Sequence, residues 1–234
     1  MLGMTVASGD PNRACLLFLG GCMQDILSVT LIEGLADDAI VVGVDEVGRG
    51  SWAGPLEVGI AAISVGNLRE LLLKPSLVCC IDDSKKLTPS RRAAVLEIVQ
   101  AEFWTSIGSA TNQECDNLGM AKALTLASRR GLEQLAIDPD RILLDGNYDY
   151  LGRRDVTTVI KGDTSSIVIA SASVVAKVHR DQRMCELALC HTHWHFAENK
   201  GYGTPSHMAA LRTHGLSDLH RVSWRYVETL GLKR

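Results

Sequence analysis

The sequence lacks the features that mark membrane proteins, secreted disulfide-rich proteins and strongly basic nucleic-acid binders. No apolar run among its 234 residues approaches the roughly 20 residues that a membrane-spanning helix requires. Its seven cysteines are odd in number and include no Cys-x-x-Cys pair, which argues against a disulfide framework and favours a reducing compartment. A net charge of -3 excludes a chain that is basic throughout. We therefore expect a cytoplasmic protein with no membrane partner.

Length and composition indicate one globular domain with at most a small appendage. The hydrophobic content of 46% and the charged content of 22% are ordinary for such a domain. Residues 1–38 hold five acids and one base, and their apolar run 15–22 is too short for a signal peptide. We expect 1–38 to be an N-terminal extension, disordered or packed locally, ahead of a domain over 39–234. Six bases and two acids in 200–234 permit a local phosphate-binding surface.

Apolar segments and helix signals alternate along the chain. Strands are predicted over these segments: 39–45, 55–63, 104–110, 141–146 and 156–163. Thr88 before Pro89 starts one predicted helix, and a Thr111–Glu114 capping box starts a largely helical stretch to about residue 136. A long helix is predicted over 165–190, with two short helices beyond residue 200. This order predicts an α/β domain with a mixed sheet and a helical C-terminal part.

Acidic residues end three of the predicted strands. Asp45 and Glu46 end the first, Asp145 follows the fourth, and Asp163 ends the fifth. Strand ends at one edge of an α/β sheet are where such folds gather ligands. Burying a carboxylate costs several kcal/mol unless a partner compensates it. Oxygen ligands without a nearby His or Cys suit Mg²⁺ or Mn²⁺, so we expect a divalent cation here.

Two features of this acidic set leave alternatives open. Successive strand residues point to opposite faces, so Asp45 and Glu46 can share one metal site only if the strand bends or ends there. Gly43, Gly48 and Gly50 would make such a bend low in energy. Asp163 could instead serve as the N-cap of the long helix.

Two other ligand sites fit the sequence less well. The stretch 48–54, GRGSWAG, loosely matches a dinucleotide-binding loop, but that motif requires a helix to start there, and Pro55 with a β-rich run follows instead. The stretch 185–195 is dense in Cys and His, but its spacing fits no standard zinc finger. A divalent-metal site built on the acids remains the favoured interpretation.

Seven blocks of the chain, in order, resemble those of bacterial ribonuclease HII. They are GVDEVGRGSWAGPL (43–56), DDSKKLT (82–88), LLDGN (143–147), VIKGD (159–163), ASASVVAKVHRD (170–181), NKGYGT (199–204) and HRVSW (220–224). The resemblance covers about residues 40 to 230. It implies a ribonuclease H-like core and metal-dependent cleavage of the RNA strand of RNA–DNA hybrids. It also implies incision at ribonucleotides embedded in duplex DNA, a role in replication and repair, and a monomeric enzyme.

The resemblance also assigns roles to individual residues. It implies that Asp45, Glu46 and Asp145 bind the metal and that Asp163 is a fourth catalytic acid. The segment Gly48, Arg49 and Gly50 would recognise the junction between ribose and deoxyribose. The remaining substrate contacts would come from Tyr202, packed against the following sugar, and from the basic pair Lys85 and Lys86. Two metal ions about 3.5–4 Å apart would activate a water and stabilise the leaving oxygen.

The chain departs from the family pattern at three positions. Asn199 stands where the family commonly has His, Trp224 where it has Phe, and His195 where it has Gly. The aromatic change is expected to affect packing alone, whereas Asn199 leaves open any side-chain role at its position. A catalytically silent relative would be expected to have lost an acid, and all four are present. Type-3 ribonuclease H usually carries a folded N-terminal domain, for which residues 1–38 are too short.

Overall fold

The core of the protein is a five-stranded mixed sheet. The computed structural model describes residues 28–81 and 87–232. The strands are β1 Ile40–Val47, β2 Leu56–Ser64, β3 Trp104–Ala110, β4 Arg141–Asp145 and β5 Val156–Val159, in the spatial order β3-β2-β1-β4-β5. The β1–β2 and β2–β3 pairs are antiparallel, whereas β1–β4 and β4–β5 are parallel. The predicted α/β fold with a mixed sheet is confirmed.

Helices cover both faces of the sheet and form the C-terminal part. They are α1 Val65–Leu72, α2 Pro75–Val78, α3 Pro89–Glu102, α4 Asn112–Leu118, α5 Met120–Leu135, α6 Gly162–Ser165, α7 Ile167–Cys190, α8 Phe196–Asn199, α9 Pro205–His214 and α10 Arg225–Thr229. A 3₁₀ turn lies at Thr192–Trp194. Both predicted starts are confirmed, since the Thr88 side chain accepts from Arg91 N and the Thr111–Glu114 capping box is formed.

The alternating side chains of the strands build two cores. Val41 and Leu143 face the layer of α7 and α3, whereas Val42 and Leu144 face the layer of α5. Burying each such side chain contributes roughly 1.5–3 kcal/mol. Helix α7 lies so close to the sheet that a β-carbon on Gly59 would fall 2.1 Å from the carbonyl oxygen of Ala172. The small residues at the start of α7 therefore set how closely it packs.

The C-terminal helices pack beside the loop that leaves β1. Ala53, in this loop, forms an isolated antiparallel bridge with His220 and lies in a buried cluster with Met184 and Phe196. A second cluster joins Leu211 and Tyr226 with neighbouring aromatic residues. The C-terminal part thus supports the loop between β1 and β2, next to the edge of the sheet where β1 ends.

Three segments differ from, or add to, the sequence-based expectation. Strand β5 ends at Val159, so the prediction that a strand runs to Asp163 is wrong. The helical stretch from residue 111 is interrupted at Gly119. In the predicted extension, Ile32 is buried in the core and the Ser28 hydroxyl accepts a hydrogen bond from Ile167 N. Residues 1–27 lie outside the described part of the chain.

The described residues contain neither a disulfide nor a helix suited to a membrane. The thiols of the described cysteines are all free: Cys79, Cys80, Cys115, Cys185 and Cys190. No helix in residues 28–81 or 87–232 combines the length and the apolar character needed to cross a bilayer.

Candidate active site

Asp45 and Asp145 lie side by side at the carboxyl ends of two parallel strands. Val44 of β1 pairs with Leu144 of β4, so each strand places its acid at the next position, on the same edge of the sheet. By strand alternation both acids lie on the α7 face. Asp45 is 4% exposed and accepts a hydrogen bond from Glu46 N at 2.8 Å. Asp145 Oδ1 accepts from the N–H of Gly162 at 2.7 Å.

Glu46 reaches the same edge from the other face of the sheet. Strand β1 neither bends nor ends at Asp45, because it stays paired with β2 as far as Val47 opposite Glu57. Alternation therefore turns Glu46 away from Asp45. Its carboxylate, 17% exposed, lines a groove of about 310 Å³ that Asp145 also lines. Asp145 therefore lies near both Asp45, on the α7 face of the sheet, and Glu46, in the groove on the other face.

The charges of the three acids combine at the groove, as the pKa shifts of its side chains show. Burial raises the pKa of Glu46, the Arg49 guanidinium works against that rise, and the Asp145 charge adds to it. Burial also raises the pKa of the Tyr150 hydroxyl well above its usual range, and the charges of Glu46, Asp45 and Asp145 raise it further. Negative charge is therefore concentrated where the ends of β1 and β4 meet the groove.

Asp163 lies next to this site, but on a helix. It is in the first turn of α6 and only 6% exposed. Its neighbour Gly162 donates to Asp145, which ties the start of α6 to the carboxylate of β4. Ser166 is the N-cap residue of α7 and its side chain makes no capping bond, so the alternative that Asp163 caps the long helix is wrong.

Asp181 has the surroundings of a structural ion pair. Lys177, one turn earlier on α7, donates to Asp181 Oδ1 at 2.7 Å. Arg92 of α3 donates to Asp181 Oδ2 at 3.2 Å, a partner that the sequence did not reveal. Arg92 joins α3 to α7, Lys177 pairs with Asp181 within α7, and together the two cations account for the acid without a metal.

The donor set suits a hard cation that is completed by water and substrate. In the part of the chain that the structure describes, no three His, Cys, Asp or Glu side chains converge on one point as a preformed metal site. Mg²⁺ usually keeps several waters and binds one or two carboxylates together with substrate phosphates. Asp45, Asp145 and Glu46 offer only oxygen, and their accumulated negative charge is what such a cation would neutralise. The acids therefore fit Mg²⁺ or Mn²⁺.

The loop at residues 48–54, here called the glycine loop, presents backbone groups beside the acids. Gly48 is buried with φ +83°, and its carbonyl accepts from the Ser51 hydroxyl at 2.9 Å. Within the described residues, the N–H groups of Arg49 and Gly50 donate no hydrogen bond. The Arg49 side chain is 63% exposed and lies 3.3 Å from the Glu46 carboxylate. The loop thus offers two unused donors and one exposed cation next to Glu46.

Tyr202 lies in a second loop that is bonded to the first. This segment, residues 199–204, is here called the tyrosine loop. Trp52 N donates to the carbonyl of Gly201 at 2.7 Å, which ties the glycine loop to the tyrosine loop. The Tyr202 ring is half-buried, with its centroid 5.5 Å from the Arg180 guanidinium carbon. The structure thereby brings Gly48, Arg49 and Gly50 close to the loop of Tyr202.

A pair of buried histidines fixes the tyrosine loop from below. Ser217 N–H donates to His220 Nδ1 at 2.8 Å, so the proton of neutral His220 is on Nε2. That proton points at His207 Nε2, 3.0 Å away, which leaves His207 Nδ1 to donate to the Tyr202 carbonyl at 2.9 Å. Burial lowers the pKa of His207 and lowers that of His220 to about 3. The chain of bonds requires both rings to stay neutral.

The three departures from the family pattern have structural explanations. Asn199 is buried, with its Nδ2 donating to the Trp194 carbonyl and its Oδ1 accepting from Gly201 N. Its side chain therefore shapes the tyrosine loop. His195 has φ +55° and ψ +37°, a conformation that Gly adopts at less cost. Trp224 lies under the Arg221 guanidinium at 5.1 Å, consistent with a packing role.

Two buried arginines, Arg180 and Arg221, were missed by sequence reasoning. Both are fully buried, and both donate to carbonyl groups of the glycine loop. The sequence did contain one sign that Arg180 is buried. Arg180 lies four residues after Ala176 and eight after Ala172, in the row of helix positions that packs on the sheet. The predicted basic pair Lys85 and Lys86 lies outside the described residues.

Comparison with known proteins places most of the chain in one family. The family model described as Ribonuclease HII matches residues 42–227. Ribonuclease HII of Streptomyces avermitilis is 45% identical over 195 residues, covering 82% of this chain and 79% of that protein. Ribonuclease HII of Novosphingobium aromaticivorans is 41% identical over 204 residues, covering 82% and 99%.

Solved structures share the fold. The crystal structure of the ribonuclease H2 from Pyrococcus horikoshii OT3 matches with a TM-score of 0.64 and 25% identity, over 82% of this chain and 96% of that one. The structure of Bst-RNase HIII in complex with Mn²⁺ matches with a TM-score of 0.64 and 17% identity, over 87% and 72%. At 17% identity the second likeness concerns the fold alone.

Proposed function

The chain belongs to the ribonuclease HII family and is an endoribonuclease of the ribonuclease H type, and from this premise we propose its substrates and its catalytic groups. The proposed substrates are RNA–DNA hybrids, cut in the RNA strand, and duplex DNA that contains single ribonucleotides. The enzyme is proposed to act as a monomer, in the cytoplasm, with Mg²⁺ or Mn²⁺ as its cofactor.

The placement of Asp45 beside Asp145, with Glu46 lining the adjoining groove, is the observation that carries the proposal. These three acids are proposed to hold the cation, with Asp163 as a fourth acid on α6. Two bound Mg²⁺ or Mn²⁺ ions would supply the positive charge that activates an attacking water and stabilises the leaving oxygen. Burial is the main cause that raises the pKa of Glu46 and the Asp145 charge adds to it, and a nearby cation would oppose both by favouring the ionised carboxylate.

Recognition of the ribonucleotide is proposed to come from the two loops. Distinguishing RNA from DNA at one nucleotide requires contact with the 2′-hydroxyl. The unused N–H groups of Arg49 and Gly50 can donate to a hydroxyl or phosphate oxygen, and Gly48 gives the backbone the turn that exposes them. Tyr202 is proposed to pack against the following sugar, and the pair Lys85 and Lys86 to contact phosphates.

Cleavage of two labelled duplexes tests the function directly. One duplex is an RNA–DNA hybrid and the other is DNA with one ribonucleotide, each incubated with Mg²⁺, with Mn²⁺ and with chelator. Cleavage of both, dependent on the cation and directed to the ribonucleotide strand, is expected. Absence of cleavage under every cation condition would refute the proposed substrates.

Variants of the acids test the assigned residues. Asp45→Asn and Asp145→Asn are expected to abolish cleavage, while the exposed Asp38→Asn serves as the matched control. Removing a repelling carboxylate is expected to hold or raise the melting temperature of the metal-free protein, so loss of activity will not reflect unfolding. Added Mg²⁺ or Mn²⁺ should raise the melting temperature of the wild type, because a ligand that binds the folded state stabilises it, and should raise that of Asp45→Asn less. Wild-type turnover in either variant would refute the metal assignment.

A further inference from the structure

Arg180 joins three parts of the recognition region through one guanidinium. It extends from α7 and is fully buried. Its Nε donates to the Pro55 carbonyl at 3.0 Å, and one terminal nitrogen donates to the Ser51 hydroxyl at 2.8 Å and to the Ala53 carbonyl at 3.3 Å. The other terminal nitrogen donates to the Lys200 carbonyl in the tyrosine loop at 2.9 Å. This one guanidinium therefore bridges the glycine loop and the tyrosine loop, which are also joined by the bond from Trp52 N to the Gly201 carbonyl.

Arg221 holds the same loop from the C-terminal part. It too is fully buried, and a terminal nitrogen donates to the Arg49 carbonyl at 3.1 Å. Its Nε and its second terminal nitrogen donate to the Gly54 carbonyl at 3.3 and 3.1 Å. Its own backbone N–H donates to the Trp52 carbonyl at 2.8 Å. The carbonyl of Arg49 is fixed in this way, while Arg49 and Gly50 are exposed and their N–H groups donate no hydrogen bond within the described residues.

The positive charge of this pair is not matched by a carboxylate contact. Over the described residues, neither Arg180 nor Arg221 forms an ion pair with an acid. Glu57 and Asp181 act on the charge of Arg180 only from a distance. The Glu57 carboxylate lies 2.6 Å from His179 Nδ1, and Asp181 is paired with Arg92 and Lys177. Burial lowers the pKa of both guanidinium groups, with that of Arg221 falling to about 10. Arginine side chains stay protonated in proteins, so both carry positive charge.

Two neighbouring buried cations without a carboxylate are costly, and neutral donors could have satisfied the same carbonyls. Their charge lies directly beneath a loop with two unused N–H donors. A phosphodiester group is the anion that this site would attract, because it accepts hydrogen bonds from backbone N–H groups and neutralises the positive charge. The chemistry therefore favours a nucleic-acid backbone as the group that completes the pair.

We propose that Arg180 and Arg221 are positioning residues for substrate recognition. They hold the glycine loop against the tyrosine loop, and they place buried positive charge behind the N–H groups that receive a substrate phosphodiester. This inference rests on the proposed function of Gly48, Arg49 and Gly50 as the ribonucleotide-recognition segment.

Arg180→Lys and Arg221→Lys are the variants that test the inference, because lysine keeps the charge but loses the planar fork of donors. Arg92→Lys is the matched control, since Arg92 is also buried but donates to Asp181 and Leu87, away from both loops. Ser51→Ala removes one Arg180 partner and provides a milder variant if a lysine variant does not fold. Folded fraction is matched first by urea unfolding.

Two measurements follow on the folded variants. Fluorescence anisotropy without catalytic metal compares binding of a duplex containing one ribonucleotide with binding of the all-DNA duplex. Steady-state cleavage then gives KM and kcat separately. For Arg180→Lys and Arg221→Lys we expect a rise in KM of about tenfold, equivalent to about 1.4 kcal/mol, a change in kcat of less than about threefold, and a reduced preference for the ribonucleotide duplex. Ser51→Ala should show the same direction with a smaller change, and Arg92→Lys should show none.

The outcomes separate this inference from the proposed function. If the wild type prefers and cleaves the ribonucleotide duplex while both lysine variants match Arg92→Lys in KM and binding preference, Arg180 and Arg221 are structural only and the inference is wrong. If the wild type shows neither preference nor cleavage, the proposed function fails and the inference fails with it.

Discussion

Replacement of Gly48 by alanine is the most direct test of the geometry of the glycine loop. Gly48 has φ +83°, a conformation in which an L-residue is strained. A β-carbon at this position would fall 2.2 Å from Arg180 Nε and 2.7 Å from its guanidinium carbon. Arg180 cannot move away freely, because its donors are bonded to four different groups of the surrounding loops.

The expected cost of Gly48→Ala has two parts. The left-handed conformation costs an L-residue roughly 1–2 kcal/mol. Forcing extra volume against packed neighbours typically costs about 1–3 kcal/mol. Together they predict a loss of about 2–5 kcal/mol in the free energy of unfolding, a large part of the roughly 5–15 kcal/mol of an ordinary domain. The variant should still fold at 25 °C, with a melting temperature lower by roughly 4–20 °C.

Gly50→Ala provides the control within the same loop. A β-carbon on Gly50 meets no heavy atom within 4 Å, and its φ lies outside the left-handed region. Its free energy of unfolding should therefore stay within about 0.5 kcal/mol of the wild type. Urea unfolding measures both variants, and the midpoints are compared at unchanged slope.

A double variant separates the two parts of the cost. In an Arg180→Ala background the Nε, the guanidinium carbon and the Cδ that a β-carbon on Gly48 would meet are all absent, so Gly48→Ala should lose only the part due to backbone conformation, about 1–2 kcal/mol. Equal urea midpoints for Gly48→Ala and Gly50→Ala would refute the contact and the backbone angle alike. An undiminished cost in the Arg180→Ala background would refute the contact alone.

Three further predictions concern single residues. At matched folded fraction, Asp163→Asn should lose most of the single-turnover cleavage activity in Mg²⁺. Asp181→Asn removes only the ion pairs with Lys177 and Arg92 and should change this activity little. The reverse result would make Asp181 the fourth acid. Tyr202→Ala should weaken cleavage at an embedded ribonucleotide by about tenfold and binding to plain DNA duplex much less, and equal losses would remove its role in recognition. Below the ordinary His pKa of 6.5 the unfolded chain binds protons at His207 and His220, which stay neutral in the folded protein. The free energy of unfolding should therefore fall as the pH drops from about 7 toward 4. A variant with glutamine at both positions that shows the same dependence of unfolding free energy on pH would refute this.

Local signals in the sequence were sufficient for much of the fold. The bounds of β3 are the predicted 104–110, and Thr88 and Thr111 cap the helices that they were expected to start. Such features depend on a few adjacent residues, whose side chains satisfy backbone groups at a helix end or alternate across a strand. Contacts with distant parts of the chain therefore changed these features little.

Features that depend on partners distant in the chain were not predictable in the same way. Strand β1 continues past Asp45 because β2 offers Glu57 opposite Val47, a pairing that no local pattern of β1 contains. Strand β5 ends early because Lys161 adopts φ +55° and starts a short helix. The burial of Arg180 depends on carbonyl groups more than 120 residues earlier in sequence, as in its bond to Pro55.

The adjacent acids of β1 are tolerated for two different reasons. Asp45 is buried, yet its Oδ1 accepts a hydrogen bond from Glu46 N, and its neighbour Asp145 likewise accepts from Gly162. Glu46 lies on the opposite face, where the Arg49 guanidinium compensates part of its charge. Local hydrogen bonds thus account for part of the cost of burying these acids. An ionised carboxylate has about four acceptor sites, so a backbone hydrogen bond to each aspartate is compatible with the proposed binding of a cation. The same backbone N–H groups fix the carboxylate orientations before a cation or a substrate arrives.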